Sequence, residues 1–288
     1  MIFDNGVLKE EKIVAETWLR LIYDDATTAS LATLASRKMI SRLYGAFCQT
    51  SLSRKMIAPF IADNHVDMTG CAGSYENFAQ FFAREKKGIR FPKEAHLLGS
   101  PCEGLVSAYE NINPAHMISA KGAAYSLGSL FGSASLAAAY QRGVCMRFRL
   151  TPAHYHRMHF FDNGEVTDVK CINGDLHSVN PLALLRIPRL YCQNKRVRVQ
   201  VKTKNFGDVV IMEVGATFVG SIVHRFLVGD NAKRGRQASY FLPGGSLVLV
   251  YFKEGAVIPC ADVVARTAAG IETKVNVGEV VGKKYTHN

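Results

Sequence analysis

Hydrophobic and polar positions follow two different periods along this chain, and the change falls after its first third. Between Glu10 and Tyr23 the apolar residues Ile13, Val14, Trp18, Leu21 and Ile22 recur with charges between them, the spacing that lines one face of an amphipathic helix. Similar spacing runs through Leu31 to Leu43 and around Ser53 to Ala62, so short helices are predicted there. Each could pack its apolar face on a core or lie in a lipid headgroup layer. Ser74 to Arg84 predicts one more helix, with Ser74 as N-cap, Asn77 in the first turn, and Phe78, Phe81 and Phe82 on one face.

After Pro92 the period shortens. Runs of β-forming residues, Leu105 to Tyr109, Val144 to Leu150, Val197 to Val201, Val209 to Val214, Ala216 to Val223 and Leu247 to Phe252, alternate with turn residues, as strands do. A stretch rich in Ala, Gly and Ser, Leu127 to Tyr140, interrupts them as helix. Asp162-Asn163-Gly164 predicts a hairpin turn, and Gly270 to Gly282 alternates again. No internal repeat or low-complexity linker is visible. The expected fold is α+β: a helical N-terminal third, residues 1–92, packed on a β-rich body of mostly antiparallel strands, residues 93–288.

Composition narrows the partners. With 288 residues, 48% of them hydrophobic and 20% charged, the chain can bury a sizeable core and is not of the disordered class. Its formal charge of +11 suits a polyanionic partner, either nucleic acid or an anionic lipid surface. The basic pairs, such as Arg37-Lys38, Arg54-Lys55 and Lys233-Arg234, lack the interleaved stacking aromatics of an RNA-binding sheet; a solvated basic surface accounts for them equally well. No stretch reaches the roughly 18 to 20 continuous apolar residues that span a bilayer, so membrane contact is expected to be peripheral. The seven scattered cysteines form no C-x-x-C pair, and no leader-like segment opens the chain, so free thiols in a reducing compartment are expected.

Chemistry concentrates where Pro243-Gly244-Gly245-Ser246 opens the apolar run Leu247 to Phe252. Two bare glycines leave the backbone open beside a hydroxyl, so Ser246 could attack a carbonyl, that of Gly245 included. An ordinary tight turn before a buried strand explains the same residues. A serine nucleophile needs a base, and His154-Tyr155-His156-Arg157-Met158-His159 supplies three imidazoles in six residues. A surface strand accounts for them as well. A metal site is disfavoured, since no acid or thiol stands nearby as a fourth ligand. Glu103, between Pro101-Cys102 and Gly104, is a carboxylate that could orient such a base; acids before glycine are also ordinary turn formers.

Taken in order, these stretches resemble the phosphatidylserine decarboxylase family of pyruvoyl-dependent, self-processing enzymes. Phe81-Phe82-Ala83-Arg84 resembles its helix ending in F-x-R, and Ser100-Pro101-Cys102-Glu103-Gly104 its S-P-[AC]-D-[GS] turn. Lys121-Gly122 to Tyr125-Ser126-Leu127 resembles K-G-x-x-Y-S-L. Tyr155-His156-Arg157-Met158-His159 is similar to Y-H-R-x-H, and Gly174 to Pro181 to G-x-L-[HF]-S-V-N-P. Asn194-Lys195-Arg196, Glu213-Val214-Gly215-Ala216, Gly244-Gly245-Ser246 and the tail Gly270 to Lys274 complete the series. The likeness covers nearly the whole chain.

The resemblance implies that Ser246 attacks the Gly245 carbonyl and that the chain is cut between them, into a β chain of residues 1–245 and an α chain of residues 246–288 opening with a pyruvoyl group. That group would form a Schiff base with the serine headgroup and accept electrons as CO2 leaves, giving phosphatidylethanolamine. His159 matches the processing base, Glu103 the acid that orients it, and His156 a histidine of the decarboxylation step. The resemblance also implies a peripheral protein on the cytoplasmic face of a membrane, a homodimer of processed pairs, with phosphatidylserine and an anionic membrane surface as partners and neither nucleic acid nor metal required. Glu103 stands where the family has Asp, Leu247 where it prefers Thr or Ser, Gln237 where it has Glu, and Ser239 where it has Gly. The alternatives carried forward are a relative acting on a soluble amino acid and an unprocessed lipid-binding homologue.

Overall fold

A computed structural model describes residues 1–10, 38–113, 115, 117–118, 124–175, 177, 190–215, 222–244 and 246–286. In chain order the strands are β1 (Ile2–Asp4), β2 (Val7–Lys9), β3 (Leu97–Gly99), β4 (Gly104–Tyr109), β5 (Met117–Ile118), β6 (Ala124–Tyr125), β7 (Val144–Leu150), β8 (Arg157–His159), β9 (Gly164–Ile172), β10 (Arg196–Thr203), β11 (Asp208–Gly215), β12 (Ile222–His224), β13 (Asn231–Ala232), β14 (Gln237–Phe241), β15 (Ser246–Phe252), β16 (Val257–Pro259), β17 (Glu272–Val275) and β18 (Val280–Lys284). Ten of them form one sheet in the order β13-β9-β10-β11-β15-β7-β4-β17-β1-β2. Two three-stranded sheets, β12-β14-β8 and β16-β18-β3, accompany it. The described strand pairs are antiparallel except β1 with β17.

The continuous apolar run of β15 is explained by its place near the middle of the large sheet, between β11 and β7. Val248, Val250 and Phe252 enter one core cluster, while Leu247, Leu249 and Tyr251 enter a second on the opposite face. A strand covered on both faces loses the polar half of its alternation. On β10, Val197, Val199 and Val201 join the first cluster. Arg196 and Arg198 point the other way, donating to the carbonyls of Leu130 at 2.8 Å and Phe131 at 2.7 Å at the end of the helix Leu127–Phe131.

The body matches the α+β expectation, mostly sheet with few helices. The helical N-terminal third does not hold as drawn. Residues 2–4 and 7–9 are strands at the edge of the large sheet, because β1 finds a parallel partner in β17 near the other end of the chain. The predicted helix from 10 to 23 and the first part of the next lie outside the described residues. What is helical is Lys38–Cys48, a 3-10 turn over Ser51–Met56, Ile57–Asn64 and Phe78–Phe82. The last is capped by Asn77, not Ser74: its side chain accepts from the Gln80 N–H at 2.9 Å.

Two further expectations change. Leu127 to Tyr140 is two helices, Leu127–Phe131 and Ala134–Ala138, parted at Gly132. Asp162-Asn163-Gly164 closes no hairpin, since β8 pairs with β14 and β9 with β10. Its buried Asp162 carboxylate instead accepts from the backbone and side chain of Asn205, both at 2.7 Å, and from Arg234 at 3.1 Å, tying the crossing between sheets.

Candidate active site

Strand β14 runs into β15 through Leu242, Pro243 and Gly244. Gly244 holds φ +142°, a backbone that side chains with a Cβ rarely adopt, which answers why glycine stands there. Gly245 lies outside the described residues. Ser246 then opens β15, paired with Leu150 of β7 and Gly215 of β11 and fully buried.

His156 meets it from the loop after β7. Its Nδ1 lies 3.3 Å from Ser246 Oγ, and its Nε2 lies 3.0 Å from the Thr151 carbonyl. A carbonyl only accepts, so Nε2 carries the proton and Nδ1 presents its lone pair to the hydroxyl. The Phe82 ring stacks on the imidazole, centroids 4.0 Å apart. Burial first, then the nearby Arg84 and His154, hold His156 well below the usual histidine range. His154 is pushed down to about 3 by burial and neighbouring cations. Residue 246 therefore faces a neutral base.

His159 ends β8, and both its nitrogens are engaged: Nδ1 donates to the Gly235 carbonyl at 2.9 Å, and Nε2 meets the Tyr155 hydroxyl at 3.1 Å. Burial lowers its pKa, opposed by the Gly235 hydrogen bond. Its own N–H donates to the Pro101 carbonyl at 2.8 Å, which seats β8 on the turn carrying Glu103. The Glu103 carboxylate is buried and lies 3.8 Å from Lys86 Nζ. Burial raises its pKa against the pull of Lys86 and Arg84. Ser246 and His156 are thus in contact, whereas His159 bonds Tyr155 and Glu103 faces Lys86, with no hydrogen bond between the two among the described residues.

Tyr155 belongs to the Y-H-R-x-H motif, but nothing in a lone tyrosine announces its bond to His159. A second constellation also escaped the sequence reading. Glu213 of β11 is fully buried, accepts from Ser239 of β14, and bonds His224 Nε2 of β12 at 2.5 Å. Burial alone would lower His224, but the Glu213 hydrogen bond and charge outweigh it and raise its pKa. Glu213 pairs with Val248 while Gly215 pairs with Ser246, so acid and nucleophile share one face of the sheet, one step apart. Strand alternation marks Glu213 as a polar residue in an apolar run, but gives no hint of its partner.

A neutral imidazole on a buried serine beside a glycine-only bend can remove a proton from an oxygen in a dry site, the requirement for attack on a neighbouring carbonyl. Among the described residues no group of three or more His, Cys, Asp or Glu could hold a metal ion. The family model for phosphatidylserine decarboxylase matches residues 76–283. The chain is 38% identical to a phosphatidylserine decarboxylase proenzyme of Clostridium tetani (strain Massachusetts / E88), over 96% of its own length and 94% of the relative's. It is 40% identical to the proenzyme of that name from Clostridium perfringens (strain ATCC 13124), covering 88% of both chains. With that of Ruminiclostridium cellulolyticum (strain ATCC 35319) it shares 40% identity over 88% of its length and 86% of the relative's.

Proposed function

The chain belongs to the phosphatidylserine decarboxylase family, and on that premise we propose that it is a proenzyme that cuts itself between Gly245 and Ser246. Its activity is the decarboxylation of phosphatidylserine to phosphatidylethanolamine and CO2. The observation that carries self-processing is the 3.3 Å contact between His156 Nδ1 and Ser246 Oγ. The oxygen attacks the carbonyl of residue 245 as its proton leaves; the N–C bond breaks, an ester replaces the amide, and the amine of residue 246 is freed. Elimination across Cα–Cβ then releases residues 1–245 as a carboxylate, and hydrolysis of the remaining enamine loses ammonia and leaves a ketone at residue 246.

Residue 246 fits a pyruvoyl group because that group would be made in place, on a buried strand end beside a neutral imidazole and the Phe82 ring. When formed, the group supplies an electrophilic carbonyl for the substrate amine and a sink for the electron pair freed as CO2 departs. Around residue 246, His156 Nδ1 faces the side-chain oxygen, Phe82 stacks on that imidazole, and pairing with Leu150 keeps the residue buried.

Two readings of the base follow from two observations. The contact with Ser246 Oγ supports His156. The resemblance supports His159, whose unprotonated Nε2 would exchange the Tyr155 hydroxyl for Ser246. His156→Ala and His159→Ala separate them, since only loss of the base leaves the chain uncut.

Exposed Leu43, Phe47 and Leu52 beside Arg54 and Lys55, and the charge of +11, support peripheral binding to an anionic membrane face, read here as the cytoplasmic one. No helix among the described residues is long and apolar enough to cross a membrane. The family resemblance also suggests a homodimer of processed pairs, which light scattering would check. The activity is tested with phosphatidylserine vesicles: release of CO2 with matching gain of phosphatidylethanolamine is expected, and activity on free serine with none on lipid would contradict it.

A further inference from the structure

A buried arginine near the site has donors with nothing to bind. Arg84 follows the helix Phe78–Phe82 and is 2% exposed. Its Nη2 donates to the carbonyls of Ala153 at 3.0 Å and His154 at 3.1 Å, while Nε and Nη1 have no acceptor among the described residues. Buried guanidinium donors are almost always satisfied, so two orphans on one group ask for a missing acceptor. Arg84 lines a pocket of about 630 Å³ with Tyr75, Arg157, Arg225, Tyr240 and Leu242. The Tyr75 hydroxyl is also buried without a partner among the described residues.

The pocket is cationic. Arg157 and Arg225 flank the Tyr240 ring at 5.1 and 5.8 Å. Among the described residues of the wall the acid is Glu85, which is largely exposed and already pairs with both, at 2.9 and 3.4 Å. The pocket also adjoins the chemistry. Leu242 leads through Pro243 and Gly244 to Ser246, Phe82 stacks on His156, and Arg84 bonds the carbonyl of His154, two residues before it.

Such a site takes an oxyanion, and phosphatidylserine carries two. Pairing Arg84 with the carboxylate would stabilise the charge that must vanish into neutral CO2, favouring the ground state over the transition state. The phosphodiester keeps its charge throughout, so holding it costs nothing in the chemical step. Resting on the activity read above, we propose that this pocket is the headgroup subsite, in which Arg84, with Arg225 at the rim, receives the lipid phosphodiester while the serine amine reaches residue 246.

The test uses soluble dihexanoyl-phosphatidylserine and the purified processed protein. Arg84→Gln is expected to raise KM on the order of tenfold or more, with kcat changed less than about threefold, because it removes charge-assisted hydrogen bonds made equally in both states. Arg84→Lys recovers part of the loss, keeping the charge but not the fork. Glycerophosphoserine is expected to compete with wild type, and inorganic phosphate more weakly. If Arg84→Gln loses its cooperative melt, Arg225→Ala decides, with KM expected to rise about threefold. A fall in kcat at constant KM, unchanged KM in the folded variants, or competition by inorganic phosphate alone would overturn the subsite. If wild type releases no CO2 from lipid, the activity reading falls separately. Calorimetry of glycerophosphoserine on the uncut chain, weakened in either variant, would still support the pocket, and unweakened binding would overturn it.

Discussion

Two histidines on one side of the large sheet, one buried and one half-buried, are pushed toward opposite charge states. His156, in the loop after β7, has a carbonyl on one nitrogen, a serine on the other and an aromatic ring against its face, with Arg84 and His154 nearby and no carboxylate bonded to it. His224, on β12, gives its Nε2–H to the buried Glu213, which also takes the Ser239 hydroxyl. Both are desolvated; only the second has an anion to offset it, and its pKa rises while the first falls. A base must be neutral to work, whereas a counter-ion for a buried acid must be charged. One residue type serves both ends by what its neighbours supply.

The sharpest way to break this comparison is at the neutral site. His156→Ala removes the lone pair facing Ser246 and is expected to slow self-cleavage about a hundredfold to ten-thousandfold, followed by the disappearance of full-length chain on a gel. If His156→Ala cuts at the wild-type rate and His159→Ala does not cut, the base is His159. At the charged site, Glu213→Gln leaves His224 without its anion and should cost about 3 kcal/mol of stability, the scale for breaking a buried pair, read by urea denaturation.

Acidity separates the regions by sign. His154 and His156 have lowered folded pKa values, so the unfolded chain binds more protons, and stability falls as pH drops below about 6.5, the His154 contribution being lost by about 3. His224 has a raised value, so its contribution is full below about 6.5 and is lost as pH rises through the folded pKa. Melting temperature against pH should show both limbs, and Glu213→Gln should flatten only the alkaline one. The smallest effect is expected from Glu103→Asp. The shorter acid keeps its charge but stands farther from Lys86, so cleavage should change by less than about tenfold and stability by under about 1 kcal/mol, measured on the same gel and denaturation series.

How much of this could be read from the residues follows from how far each feature reaches along the chain. The run of β15 is unmistakable because a strand buried on both faces writes its burial in consecutive apolar residues. The ordered motifs likewise point to Ser246, His156, His159 and Glu103. Partners did not show. β1 is three residues long and needs β17, at the far end of the sequence, to be a strand at all. Glu213, His224 and Ser239 lie on three strands of two sheets, so no local pattern joins them. Asp162-Asn163-Gly164 has the composition of a hairpin turn, but Asn205 and Arg234 claim its acid. Arg84 stood inside a motif, yet its orphaned donors are a property of the packed pocket alone.

The central claim is that Ser246 breaks the peptide bond behind it. Intact-mass measurement of the purified protein reads this directly: two chains are expected, residues 1–245 and 246–288, the shorter with an N-terminus that carries no amine. A single chain of all 288 residues, stable on storage and still able to release CO2 from phosphatidylserine, would contradict it.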